Sequence, residues 1–348
     1  MKIAVDVREA CRSVRTGKGQ WTYGFVSEIL TRGEEVLLLT DIDIPEEWKK
    51  HSPVVRSFKS GIGWHFKVSK LLKKRKEIDL FVSPTSYIVP FLSNIKYSVP
   101  VVHDLIAFQK EPHDRKAKAI EQITLKRALK HSKHVLAVSE STKRDLLERY
   151  KFLSSSDVSV IYAGPMEENP PVNTPDGKTI LCAATLCPRK NQLRLIEAYK
   201  ALPDALRAQY SLLLVGSRGW HDQEVVDLAE ETDGVNWEGY VLQERYSELL
   251  SNCEVLAFPS LYEGFGMQIL DALQRGIPVL TSDRGSLPEV TEECAVLVDP
   301  ERVESIAHGL ERILTSKELQ NDLRASGPKQ ASKFSWKRVV DLFLAAAK

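Results

Sequence analysis

Short runs of β-branched residues and leucine alternate with helical patterns along this chain, and they do so in two blocks. Apolar runs followed by helices are buried on both faces, so the alternation predicts parallel sheets with crossover helices. In the first block the strands fall near Ile3–Val5, Val36–Leu39, Leu80–Val82, Val99–Val102, Val135–Val138 and Val158–Ile161. In the second they fall near Ile180–Ala183, Leu212–Val215, Val255–Phe258, Val279–Leu280 and Ala295–Val298. Between the blocks, Ala163–Lys178 contains Pro165, Pro170, Pro171 and Pro175 and has no apolar period, which reads as a linker. A length of 348 residues suits two domains better than one core. Each block is expected to be a doubly wound α/β domain, which binds ligands at the carboxyl ends of its strands; two of them facing each other make a cleft.

Composition removes several classes of function. The longest apolar runs, such as Leu212–Val215 and Leu342–Ala347, fall far short of the roughly 18 residues a membrane-spanning helix needs. The opening Met1–Asp6 meets an acid after three apolar residues and reads as a first strand, not a signal peptide, which predicts a cytoplasmic protein. Five cysteines are an odd number for a disulfide framework, and Cys182 with Cys187 lacks a second pair at zinc spacing. No His or Cys cluster at ligand spacing marks a metal site, so neither metal nor cofactor is expected. The overall net charge of +1 hides a division: residues 1–165 hold 29 Lys and Arg against 19 Asp and Glu, and the remainder 19 against 28. A basic half implies an anionic partner. Nucleic acid is a poor choice, since no recognition motif is present and the acidic half repels phosphate.

The most informative stretch runs from Pro259 to Leu273. A buried strand ends in Pro-Ser, a turn with Gly264 and Gly266 around Phe265 follows, and an apolar helix begins at about Gly266. A helix start presents unpaired N–H groups and a partial positive charge, suited to phosphate, and glycine lets a ligand approach the backbone. Glu263 and Asp271 lie about two helical turns apart and can share a face, where carboxylates accept hydrogen bonds from hydroxyls. This segment resembles the E-x7-E motif of the group 1 (family 4) retaining glycosyltransferases, as do Gly276-Ile277-Pro278-Val279 and Gly285–Val290 after it. Asp271 and Gln268 depart from the usual Glu and Pro.

The resemblance implies a GT-B fold, with residues 1–165 as an acceptor-side Rossmann-like domain, 166–335 as the nucleotide-sugar domain, and a last helix, 336–348, opened by Phe334-Ser335-Trp336, crossing back to the first. Arg189 and Lys190, a fork-shaped donor beside a point charge, match the residues that hold the donor diphosphate and stabilise it as it leaves. Glu263 matches the residue that holds the donor sugar, Asp271 the one at the ribose. Gly216 and Val241 lie in stretches that resemble the nucleotide-side loops, and His103 the histidine that touches the donor sugar. Asp6-Val7-Arg8 and Thr16–Thr22 resemble the start of mannosyltransferase-like members, with Lys18 and Gln20 replacing Ile and Arg; Gly17 and Gly19 there are expected to offer N–H groups to the donor. The implied activity is metal-independent transfer of a hexose, with mannose from GDP-mannose favoured, to a glycan or lipid-linked acceptor. A phosphorylase or nucleotide-sugar epimerase of similar layout is the alternative.

One basic segment is not absorbed by this reading. In Trp64–Lys76 a helical period places Trp64, Val68, Leu71 and Leu72 on one stripe and Lys67, Lys70, Lys73 and Lys74 opposite, with Phe66 among them. An aromatic among lysines suits a helix lying on anionic lipid, which predicts peripheral attachment to the inner membrane face.

Overall fold

The computed structural model describes residues 1–109 and 115–347, and these form two compact units: residues 1–109, 115–164 and 334–347 in the first, and 165–333 in the second. Lys348, the last residue of the expected 336–348 helix, lies outside the described residues.

The first unit is a seven-stranded parallel sheet of β1 (Lys2–Asp6), β2 (Glu35–Thr40), β3 (Val54–Ser57), β4 (Leu80–Ser83), β5 (Ser98–Val102), β6 (Val135–Ala137) and β7 (Val158–Val160), in the order β3-β2-β1-β4-β5-β6-β7. Its helices are α1 (Gly17–Thr31), α2 (Glu46–Lys49), α3 (Ile62–Lys74), α4 (Ile88–Ser93), α5 (Arg115–Lys130) and α6 (Glu140–Arg149). The register Ala4↔Leu37 and Ala4↔Phe81 places β1 centrally, where it is buried on both faces. One core joins Ala4, Leu39 and Phe81 to Trp64, Val68 and Leu72 of α3, the stripe read from the helical period. A second joins Val102, Val135 and Ala137 to Leu125 and Leu129 of α5 and Leu146 of α6.

The second unit is a six-stranded parallel sheet, order β10-β9-β8-β11-β12-β13, from β8 (Thr179–Ala183), β9 (Ser211–Val215), β10 (Val235–Trp237), β11 (Val255–Phe258), β12 (Val279–Ser282) and β13 (Val296–Val298). Its helices are α7 (Gln192–Lys200), α8 (Asp204–Gln209), α9 (Gln223–Glu230), α10 (Gln243–Asn252), α11 (Met267–Gln274), α12 (Leu287–Thr291), α13 (Val303–Thr315) and α14 (Lys317–Ala331). The two strands missing from the sequence expectation, β3 and β10, are both sheet edges. Half-exposed, they carry no continuous apolar run to betray them.

The last helix, α15 (Trp336–Ala347), packs on α1. Phe343 meets Phe25 edge-on with ring centroids 5.0 Å apart, and Trp336 approaches Trp21 at 6.1 Å. Gly24, within α1, is what admits Trp336: a Cβ there would lie 2.0 Å from the indole. No helix among the described residues is long and apolar enough to cross a membrane. Cys182, Cys187 and Cys253 are buried free thiols.

Candidate functional site

In the second unit, β8 and β11 are neighbours, and the segments leaving their carboxyl ends are tied together. After β8 a tight turn, Pro188–Lys190, begins with proline, whose missing N–H costs nothing at a helical start. Asn191 ends it in the left-handed conformation, φ 63°, and its amide donates to the carbonyls of Pro259 (3.0 Å) and Pro300 (2.7 Å). The Leu261 amide donates to the Arg189 carbonyl at 2.8 Å, closing the link to the turn after β11.

This brings Arg189, Lys190 and Glu263 together. Glu263 Oε1 lies 2.7 Å from Arg189 Nη1 and 2.5 Å from Lys190 Nζ, and Arg189 Nη1 also donates to the Tyr262 carbonyl at 2.9 Å. Lys190 and Glu263 are each only 8% exposed. Burial pushes the Glu263 carboxyl up, but the two cations outweigh it and hold it below the usual range; burial lowers Lys190, which Glu263 opposes. The lysine also lies over the Phe258 ring, 4.5 Å from its centroid. Two cations thus share one carboxylate at the carboxyl end of a parallel sheet, where an anion could take its place.

The turn that carries Glu263 is propped from the loop after β12. The Ser286 hydroxyl donates to the Glu263 carbonyl at 3.0 Å, and at Gly285, φ 59°, a Cβ would lie 2.7 Å from that oxygen. The sequence held both residues in a family motif without showing their task. Gly264 and the buried Phe265 lead to Gly266, a left-handed cap that makes no side-chain hydrogen bond to the start of α11.

Asp271 does not join Glu263. It is 1% exposed, its Oδ1 accepts the Met166 amide at 2.9 Å and its Oδ2 the Tyr246 hydroxyl at 3.4 Å. Burial pushes its carboxyl up to about 7. Alongside, the fully buried Arg275 binds Glu167 at 2.6 Å and Ser247 at 2.9 Å. The segment read as a linker therefore lies along the second unit: Met166, Glu167, Asn173 and Thr174 all bond to it. Gly216 (φ 144°) has its would-be Cβ 2.1 Å from the Ala184 carbonyl, and its amide donates to Gly239 (2.7 Å); Val241, two residues further, is half-buried.

In the first unit, His103 follows β5. Its Nε2 lies 2.8 Å from the Pro84 carbonyl, which can only accept, so Nε2 carries the proton and Nδ1 the lone pair. Burial pushes this ring down to about 3, so it is neutral. Trp21 meets it edge-on at 5.4 Å. Gly17 starts α1 with open space around it. Gly19 differs from expectation: its N–H donates to the Thr16 hydroxyl at 3.2 Å, capping α1, and a Cβ would meet the Glu9 carbonyl at 2.7 Å. That glycine serves close packing and a helix cap. Arg8 is likewise spent internally, on Asp6 at 2.8 and 3.0 Å and over the Trp64 ring at 3.6 Å.

Residues 166–330 match the family model described as "Glycosyl transferases group 1", and residues 17–165 the one described as "Glycosyltransferase Family 4". The chain is 30% identical over 257 residues to the O-antigen chain mannosyltransferase B of Escherichia coli, covering 70% of this chain and 68% of that one. It is 29% identical over 227 residues to the serotype-specific mannosyltransferase WbdA of Escherichia coli, spanning 60% of this chain but only 28% of that larger protein. Among solved structures, sucrose-phosphate synthase from Thermosynechococcus elongatus superposes with a TM-score of 0.81 at 19% identity, over 99% of this chain and 98% of that one. Anabaena Alr3699/HepE in complex with UDP and glucose does so at 0.77 and 19%, again over 99% and 98%. At such identities the likeness is one of fold.

Proposed function

The chain belongs to the group 1 glycosyltransferases, and on that footing we propose that it transfers mannose from GDP-mannose, with retention and without a metal, to a glycan or lipid-linked acceptor. The observation that carries the reading is the Arg189–Lys190–Glu263 cluster, a half-buried arginine and a buried lysine held by one carboxylate at a strand end. The mannosyl donor is supported by relatives named as mannosyltransferases, among them O-antigen chain and serotype-specific ones.

In the proposed reaction the donor diphosphate takes over Arg189 and Lys190, and Glu263 is released to accept hydrogen bonds from the sugar hydroxyls. The bond from C1 to the phosphate oxygen breaks with its electron pair on the phosphate, whose charge the two cations and the start of α11 stabilise. The acceptor oxygen bonds C1 on the same face, and its proton passes to the departing phosphate oxygen. Gly216, Val241, Gly264, Phe265 and Gly266 line the nucleotide side, and in the first unit His103 Nδ1 can accept from a sugar hydroxyl; Asp271, whose oxygens take the Met166 amide and the Tyr246 hydroxyl, is not available to the ribose. Positive charge supplied by the chain removes the need for a metal.

The test is a panel of nucleotide sugars read by thermal shift and by turnover, with product stereochemistry from NMR. Turnover with GDP-mannose in excess EDTA and an unchanged anomeric configuration are expected; full loss restored by magnesium or manganese, or an inverted product, would refute the mechanism. Free sugar phosphate as the product would point to a phosphorylase.

We also propose that the enzyme works at the cytoplasmic face of a membrane through α3. Ile62 (76%) and Phe66 (55%) are exposed beside the exposed Lys67, Lys70, Lys73 and Lys74, while Trp64 and Val68 are buried. Each such lysine contributes about 1 kcal/mol at an anionic surface. Co-sedimentation should need anionic liposomes, weaken with salt and fall when Lys70, Lys73 and Lys74 become Ser. Equal binding to neutral vesicles would sink the idea.

A further inference from the structure

The sequence singled out no residue of α5, yet the fold brings one of its acids to the end of β5. Glu121 stands one turn before Thr124 and Leu125, which face the core, so its side chain is directed inward. Its Oε2 lies 3.8 Å from Lys18 Nζ at the start of α1. Its Oε1 is shut off from solvent and has no hydrogen-bond partner among the described residues. Lys18 and Asp104 are the charges that act on Glu121, and the same two act on the His103 ring. Tyr87 and Tyr150, from the elements packed around it, feel its charge as well.

We propose that Glu121 is a sugar-binding residue, whose carboxylate accepts hydrogen bonds from the hydroxyls of a hexose held beside His103. The cluster decides the chemical class. The Glu121 side chain, 14% exposed, and the His103 Nδ1 lone pair both present acceptors, so the ligand must be rich in donors. Glu121 and Asp104 repel an anion, and Lys18 repels a cation. An uncharged polyhydroxyl ring supplies donors to Glu121 and His103 without either repulsion. This rests on the glycosyl-transfer reading above, and the hexose belongs either to the donor or to the acceptor.

Burial, with Asp104, pushes the Glu121 carboxyl up to about 6, against the opposing Lys18. The accepting form is the carboxylate, so activity rises with pH through about 6; the neutral His103 does not titrate there. The experiment compares the wild-type protein with Glu121→Gln and Lys18→Met, using GDP-mannose alone and with methyl α-mannoside as acceptor probe. Glu121→Gln should lower kcat/KM by about 10-fold or more, the worth of a charged hydrogen bond, and abolish the pH limb. Donor hydrolysis kept while the acceptor KM rises places the acceptor sugar at Glu121; hydrolysis falling in step places the donor hexose there. Lys18→Met should move the limb upward without removing it. If it instead reproduces Glu121→Gln, the acid is only the lysine's structural partner and the inference fails. An active wild type matched by Glu121→Gln overturns this inference alone, whereas a wild type inactive on every nucleotide sugar overturns the transferase reading with it.

Discussion

Replacing Glu263 with Gln removes the one carboxylate that Arg189 and Lys190 share and leaves its volume unchanged. The two cations lie 2.7 and 2.5 Å from the lost charge, in surroundings that leave the Lys190 side chain 9% exposed. Removing one partner of a buried ion pair costs about 3 to 5 kcal/mol, and because the Gln oxygen can still accept from Lys190 the lower end, about 3 kcal/mol, is expected. In a unit of about 170 residues that lowers the melting temperature by roughly 6 to 12 °C. A nucleoside diphosphate should reverse the effect, since its phosphates supply the missing charge, whereas in the wild type they must displace Glu263. The assay is thermal melting with and without GDP. The free variant should melt well below the wild type, its GDP-induced shift should be the larger, and turnover should still fall because the sugar hydroxyls lose their acceptor. The pH dependence provides a sign check. The cations hold the Glu263 carboxyl below its ordinary range, so the stabilisation is present above that range and is lost as pH falls through the depressed value. That acid-side loss should vanish in the variant. A melting temperature equal to the wild type's, or equal GDP shifts, would refute the competition between Glu263 and phosphate.

Three further outcomes are expected. Arg189→Ala and Lys190→Ala should each lower turnover about 10- to 100-fold, a charge-assisted contact being worth about 1.5 to 3 kcal/mol; wild-type rates would move the phosphate site elsewhere. Asp271→Asn should keep the Met166 hydrogen bond and gain stability over the wild type as pH rises from about 4 through about 7, because the raised carboxyl pays its burial cost only once ionised; urea unfolding across that range with a constant difference would contradict the assignment. Gly24→Ala should gain about 0.5 to 1 kcal/mol in helix propensity yet lose about 1 to 3 kcal/mol against Trp336, a net destabilisation visible in denaturant melts, and a stabilised variant would show that α15 does not seat there.

What the sequence determined by itself is what local pattern can encode. Most of the strands are short apolar runs because they are buried on both faces, and a single period of 3.6 identified the core stripe of α3. The turn chemistry after β8 and β11, proline and paired cations in one and glycines with Glu263 in the other, was legible because each motif is contiguous. The edge strands β3 and β10 were not, since polar residues, Arg56 and Ser57 in one and Asn236 in the other, break their short apolar runs. Tertiary structure alone decided which groups each motif meets. Glu263 binds cations 73 and 74 residues away, Asp271 is taken up by Met166 and Tyr246, and Glu121 reaches Lys18 across 103 positions. Gly19, read as a ligand's donor, spends its N–H on Thr16 because the packing of Glu9 fixes the loop. A periodic pattern reports how much of a residue is buried, but the partner of a buried charge is set by the order of the strands, and only the folded sheet contains that order.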